Sequence, residues 1–325
     1  MAVFILLVIA TVATTGGCRP YAKSAFSNDV RPDTLHLEMV ASHLDSVPGL
    51  IVGVSAVGES VILSLRRADY AFAVIPASFS SDPMLVGHHG RGPGEVLDVC
   101  PASLTEEPNG FSFIDSFGKH HATFESGTCS ISVPDTGFLN DSAKNSFIEL
   151  SDSFIDINTD NETEEYVVYD KTLSNKTYAG RFPDWAHEDD VLPQFVYMKF
   201  LAKHPRKDYF AAVYGRYPVL RICNSQGKPL HETYTYADTF HGGMSEVYYC
   251  CVPSVSEKYI LALSQAGKSM SSYPELHLFD WKGGLLKRFV LDKSVDYFSV
   301  FFERGKLIAY SSSLNSLFSA DIDFS

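Results

Sequence analysis

Ser256-Glu257-Lys258-Tyr259-Ile260-Leu261-Ala262-Leu263 is a short polar turn that runs straight into five apolar residues. The same arrangement occurs at five other places: Val61 to Leu65 after Gly58-Glu59-Ser60, Phe111 to Ile114 after Pro108-Asn109-Gly110, Tyr166 to Tyr169 after Glu162 to Glu165, Tyr209 to Val213 after His204 to Asp208, and Lys306 to Tyr310 after Glu303-Arg304-Gly305. The six starts are about 43 to 55 residues apart, the spacing of propeller blades. Each run is short, apolar and rich in aromatic or β-branched side chains, which suits a strand covered on both faces.

A second strand-like run precedes each of the six and a third follows it. The preceding runs are Leu50 to Val57, Val96 to Pro101, Phe154 to Asn158, Phe195 to Leu201, Val247 to Val252 and Tyr297 to Phe302. The following runs are Tyr70 to Ile75, His120 to Glu125, Lys176 to Phe182, Val219 to Cys223, Leu276 to Phe279 and Ser316 to Ile322. A fourth, outer strand is visible at Pro229 to Tyr236 and Leu285 to Leu291. No amphipathic helix separates the units, which excludes a βαβ architecture. The expectation is an all-β, six-bladed β-propeller over residues 33–325. The last unit ends without an outer strand, and Thr34 to Val40 is a spare alternating strand at the other end of the chain. This N-terminal strand is expected to complete the sixth blade and close the ring.

Ahead of the ring, Ala2 to Ala13 is an unbroken run of apolar residues and Thr, followed by Thr14-Thr15-Gly16-Gly17-Cys18. About a dozen apolar residues are too few to span a bilayer. With small residues behind them they read as a signal peptide, residues 1–17. Thr15-Gly16-Gly17-Cys18 resembles a lipobox, which implies lipid attachment at Cys18, a tether over 18–32, and a location at the cell envelope on the periplasmic or outer-membrane surface.

Gly90-Arg91-Gly92-Pro93-Gly94-Glu95-Val96 lies between the first and second units. Three glycines and a proline in five positions demand a tight connection, and Glu95 can accept backbone hydrogen bonds before the next strand. As a phosphate cradle the segment is poor, because Pro93 lacks an amide donor and no helix follows. The segment resembles the GxGPGEF-type signature of the six-bladed, TolB-like propeller lipoproteins of the Bacteroidetes. That resemblance implies an extracytoplasmic propeller and supplies no shared catalytic residues.

The chain carries 39 acidic against 26 basic residues, a formal charge of −13, with no basic stripe. Such a charge repels phosphate backbones and anionic headgroups, so nucleic acid is excluded as a partner and the membrane is reached only through the lipid. Apart from Cys18, the cysteines are Cys100, Cys129, Cys223, Cys250 and Cys251, with no metal-ligand spacing. They read as small apolar fillers with one buried disulfide as the alternative, and adjacent Cys250 and Cys251, if in a strand, would point apart.

No nucleophile elbow or paired-ligand motif is present, so no catalytic residue is assigned. The candidate ligand-binding residues are His88, His89, Arg91 and Glu95 at the glycine-rich connection, and Trp185 in the longest polar insertion, where it either stacks on a ligand or caps a blade interface. Asp156, Asn158 and Asp160 carry the alternating oxygens of half a calcium loop, without its glycine and closing glutamate. Calcium is therefore the one cofactor the sequence leaves open. Two function classes follow: a monomeric, non-catalytic module that binds a glycan, a peptide or an envelope protein, and a metal-dependent hydrolase or lactonase with Asp98 and Asp156 as ligands at the channel.

Overall fold

The computed structural model describes residues 22–25, 30–41, 44–125, 127–133, 146–183, 185, 191–235, 246–265 and 274–325. The apolar leader and Cys18 lie outside them. The strands form six antiparallel sheets that follow one another along the chain. Blade 1 is Leu50–Val57, Ser60–Arg66, Tyr70–Pro76 and Met84–His88. Blade 2 is Thr105–Glu107, Gly110–Ile114, Lys119–Glu125 and Thr128–Ile131. Blade 3 is Ile148–Glu149, Ser153–Ile157, Tyr166–Asp170 and Lys176–Ala179. Blade 4 is Lys199–Lys203, Tyr209–Tyr214, Val219–Asn224 and Pro229–Tyr234. Blade 5 is Ser254–Val255, Tyr259–Ser264, Glu275–Asp280 and Leu285–Leu291. Blade 6 takes Tyr297–Phe301, Lys306–Ser311 and Ser316–Asp321 from the end of the chain and Glu38–Ala41 from its beginning.

Burial explains the sequence pattern. The second strands of blades 2, 4 and 5 are buried at nearly every position, because each sheet is covered on both faces by its neighbours. Six hydrophobic clusters fill the six interfaces between successive blades. The cluster that joins Phe301, Ile308 and Leu317 of blade 6 to Val54, Val61 and Leu63 of blade 1 closes the circle. The chain is a six-bladed propeller, as its periodicity predicts.

Closure uses two strands where the sequence suggests one. Within Thr34 to Val40 the chain breaks at His36-Leu37. Pro32–Leu35 adds in parallel to Leu285–Leu291 of blade 5, and Glu38–Ala41 adds antiparallel to Ser316–Asp321. Leu37 is buried between them with Leu291, Leu307 and Phe318, and its amide donates to Asp292 Oδ1 at 2.9 Å. The segment expected as a tether also pairs: Ala22–Ala25 runs parallel to Pro229–Tyr234 of blade 4. The N-terminal chain thus follows the outer rim past three consecutive blades.

The innermost strands depart most from expectation. In blade 3 the assignment shifts by one strand, since the two-residue Ile148–Glu149 precedes Ser153–Ile157. In blade 2, Val96 makes one parallel bridge to His89, Pro101–Ser103 is a 3-10 turn, and the innermost strand is the polar Thr105–Glu107. In blade 4, Pro193–Val196 is a single helical turn ahead of Lys199, and in blade 5 Tyr249 makes one bridge to Ser264 ahead of Ser254–Val255. Strands of two or three residues are too short to show any periodicity. The Pro101–Ser103 turn also lies beside the innermost strands of other blades. Pro101 Cβ would stand 3.3 Å from a Cβ added at Gly53 of blade 1, and the turn touches the innermost strands of blades 3 and 4.

Candidate functional site

Blades 1 and 2 are joined by the glycine-rich segment, and its backbone is closed on itself. The Val96 amide donates to His88 O at 2.8 Å, Gly90 to Val96 O at 3.2 Å, and Glu95 to Gly92 O at 3.0 Å. The Glu95 side chain folds back and accepts from the Gly92 amide at 2.6 Å. Gly90 allows this, since a Cβ there would lie 2.0 Å from Glu95 Oε2. Gly94 sits at φ +77°, a left-handed conformation that glycine adopts without penalty.

The base of the loop is held by Asp115, which is 2% exposed. Its carboxylate accepts from the amides of Leu97 at 2.9 Å, Phe117 at 2.7 Å and Gly118 at 3.0 Å. His120 Nε2 stands 2.9 Å from the same carboxylate, its Nδ1 meets Ser132 O at 3.0 Å, and its ring stacks on Phe113. A carboxylate holding three amides fixes the loop before any ligand arrives.

His88, His89, Arg91 and Glu95 therefore share one connection. His88 is exposed and lies against Tyr70, with ring centroids 4.2 Å apart, and Arg91 is exposed. Half-buried His89 donates its backbone amide to Asp69 O, while its Nε2 is buried with no hydrogen-bond partner among the described residues. Glu95 turns inward. The connection thus offers a guanidinium and two imidazoles on a rigid base, with its own carboxylate withdrawn.

Trp185 lies elsewhere, buried at the interface of blades 3 and 4 at 8% exposure. Its ring packs against Tyr197, Tyr214 and Tyr217, and the Arg221 guanidinium lies 4.9 Å from its centroid. Beneath it is a network of four buried charges. Glu165 accepts from Lys199 Nζ at 2.6 Å, Tyr214 Oη at 2.6 Å and Arg221 Nη1 at 2.9 Å. Arg221 Nε donates to Glu232 Oε2 at 2.5 Å, and Tyr234 Oη donates to the other oxygen of Glu232. Burial drives the Lys199 ammonium below its ordinary value in spite of Glu165. Two cations facing two carboxylates make the network neutral, and it ties blade 3 to blade 4 in one register.

Sequence reasoning did not find this network. One trace of it was visible: Arg221 interrupts the apolar run Val219-Leu220-Arg221-Ile222-Cys223. Arg221 pairs across its blade with Ala212, His277 with Ala262 and His120 with Phe113, in each case the fourth residue of the second strand. Three third strands thus carry a buried basic side chain at one register, each beside a carboxylate, Glu275 in the case of His277.

Asp156, Asn158 and Asp160 are turned to different partners. Asp156 lies on the second strand of blade 3 near Cys100, whose thiol burial and this carboxylate push up to about 12. Asn158 is fully buried and organises the hairpin, donating to Asn161 O and Glu164 O and accepting from the Asp160 amide. Asp160 accepts from Lys176 Nζ at 2.9 Å and Tyr178 Oη at 2.8 Å. Asp98 is exposed in the connection ahead of Pro101, at φ +55°. Among the described residues no group of three His, Cys, Asp or Glu side chains is placed to hold a metal.

All five cysteines of the ring are free thiols. Cys250 and Cys251 are not in a strand, and the Cys250 thiol accepts a hydrogen bond from Gln265 Nε2 at 3.5 Å.

No protein-family model matches the sequence, and no curated protein does. Solved structures match over most of the chain. An exported protein from Bacteroides fragilis is 12% identical with a TM-score of 0.52, covering 92% of this chain and 98% of that one. Regucalcin from Agrobacterium tumefaciens, described as a calcium-binding protein, is 11% identical with a TM-score of 0.50, covering 90% and 96%. They share its fold. At such identities the likeness extends no further than the propeller itself.

Proposed function

We propose that the protein is a monomeric, lipid-anchored binding or scaffold module of the cell envelope, related to the TolB-like propeller lipoproteins, which holds a glycan, a peptide or an envelope protein at the connection between blades 1 and 2. One observation carries this reading. The connection is held by its own hydrogen bonds, its acidic group is withdrawn, and its basic groups Arg91 and His88 remain exposed for a partner with His89 half-buried beside them. Cys18 supplies the anchor in this reading, and catalysis and a cofactor have no part in it.

The test is capture from solubilised envelope and on glycan arrays, comparing the tethered protein with Arg91→Ala and His89→Ala variants. The expected result is a ligand retained by the parent and lost from both variants while each remains folded. Empty captures on both platforms with a folded protein, or equal retention by the variants, would overturn the reading. Palmitate incorporation that disappears in Cys18→Ser checks the anchor separately.

A further inference from the structure

Two lysines from successive blades grip one glutamate, and a third lysine lies on the next blade beside them. Lys119 opens the third strand of blade 2, Glu149 ends the innermost strand of blade 3, Lys171 follows the third strand of blade 3, and Lys203 ends the innermost strand of blade 4. Lys119 Nζ and Lys171 Nζ each lie 2.8 Å from a different oxygen of Glu149. Lys171 Nζ also sits 4.7 Å from the centroid of the Phe154 ring. All three paired side chains keep contact with solvent, at 25% exposure for Lys119, 27% for Glu149 and 36% for Lys171.

Lys203 is half-buried beside this group, and its ammonium has no ion-pair partner within 4 Å among the described residues. Burial holds it below its ordinary value, Lys119 and Lys171 lower it further, and Glu149 and Asp208 oppose them. Asp208 is exposed and holds the Ser151 amide at 3.0 Å. Glu149 is already shared by two ammonium groups, so three cations face two carboxylates. In a chain of net charge −13 this is a local excess of positive charge, and among the described residues Lys203 is the one of the three lysines without a direct ion-pair partner.

We propose that Lys119, Lys171 and Lys203 form a binding site for a carboxylate-bearing small ligand, whose anionic group pairs with the Lys203 ammonium. The excess of one positive charge matches a single carboxylate. A charge-assisted hydrogen bond to an ammonium held partly out of water is stronger than one formed at the open surface. The site lies close to the glycine-rich connection, because the Asp115 carboxylate that holds Leu97 also holds the turn leading into Lys119. It shares no residue with that connection, so the two can be tested independently.

The test is titration calorimetry on the full ring with glucuronate and N-acetylglycine as probes, and glucose and N-acetylglycinamide as neutral controls. Binding of either acid with neither neutral control is the expected result, and the acid that binds more tightly tells whether the group comes from an acidic sugar or a peptide end. Lys203→Met should weaken that binding about tenfold and leave the melting temperature within a degree or two, since Lys203 closes no ion pair. Lys306→Met, which removes an exposed pair with Asp321, should leave binding unchanged. Glu149→Gln, which removes the competing carboxylate, should strengthen binding several-fold. Equal binding of acids and neutral controls, no binding by any probe, or undiminished binding by a folded Lys203→Met protein would overturn the proposal. Arg91→Ala should leave it intact, so failure here and failure of the loop as a binding site are separate results.

Discussion

Replacing Glu165 by alanine tests whether the buried network joins blades 3 and 4. Glu165 is fully buried and receives three hydrogen bonds of 2.6, 2.6 and 2.9 Å, two of them from charged groups that are themselves buried. Its removal leaves Lys199 and Arg221 inside the interface without this carboxylate. Breaking a buried ion pair from one side costs about 3–5 kcal/mol, because the remaining charge stays desolvated. For a domain of this size each kcal/mol lowers the melting temperature by roughly 2–4 °C, so the expected fall is on the order of 10 °C. Glu165→Gln retains an acceptor without the charge and should lose about half as much. Asp321→Ala, which removes an exposed carboxylate paired with Lys306, should stay within about 0.5 kcal/mol. Equilibrium unfolding in urea followed by tryptophan fluorescence is the assay. The chain has only two tryptophans, and Trp185 lies directly over Arg221. A Glu165→Ala protein within about 1 kcal/mol of the parent would show that water or side-chain rearrangement satisfies these cations, and would refute the reasoning.

Gly110→Ala should destabilise blade 2 by about 3 kcal/mol in the same assay, since the added Cβ would stand 1.9 Å from the Ala122 carbonyl on the paired strand; an unchanged midpoint would refute this. Deleting residues 1–31 should preserve a single cooperative unfolding transition, whereas extending the deletion through Ala41 should abolish it by opening blade 6. Two equally cooperative proteins would show that closure does not depend on that strand. Native alkylation near pH 8, read by mass spectrometry, should modify Cys250 first among the ring cysteines. Hydrogen bonds from Cys251 and Gln265 hold its thiol below the ordinary value, while burial pushes Cys100 and Cys223 up to about 12. Equal labelling of Cys100 or Cys223 in folded protein would contradict it.

The ring was legible because a strand covered on both faces is a continuous apolar run, and six such runs at one spacing define it, five of them second strands and Tyr166–Asp170 the third strand of blade 3. The innermost strands were not, because Ile148–Glu149 and Ser254–Val255 are two residues long and too short for a periodicity. The N-terminal strand was legible as a spare strand. Its division at Leu37 was not, since that depends on Asp292 from blade 5 capturing the Leu37 amide. At the candidate site the glycines announced a tight connection, yet the inward turn of Glu95 depends on space that only the folded loop defines. The Glu165 network joins residues as far as 56 positions apart across two blades, a relation that composition and spacing do not encode.

The rim-following N-terminal segment also sets an order of assembly. Glu38–Ala41 is made long before its partner Ser316–Asp321, and the nearby Asp45–Asn315 contact joins positions 270 residues apart. Blades 1 to 5 can form from local hairpins as they emerge, but the circle stays open, with the edges of blades 1 and 6 exposed, until the final strand arrives. Closing the ring is therefore a long-range loop closure that waits for Ser316–Asp321. A chain of this design stays open while Ser316–Asp321 is still to be made, and becomes a ring only where that strand and Glu38–Ala41 are free to meet.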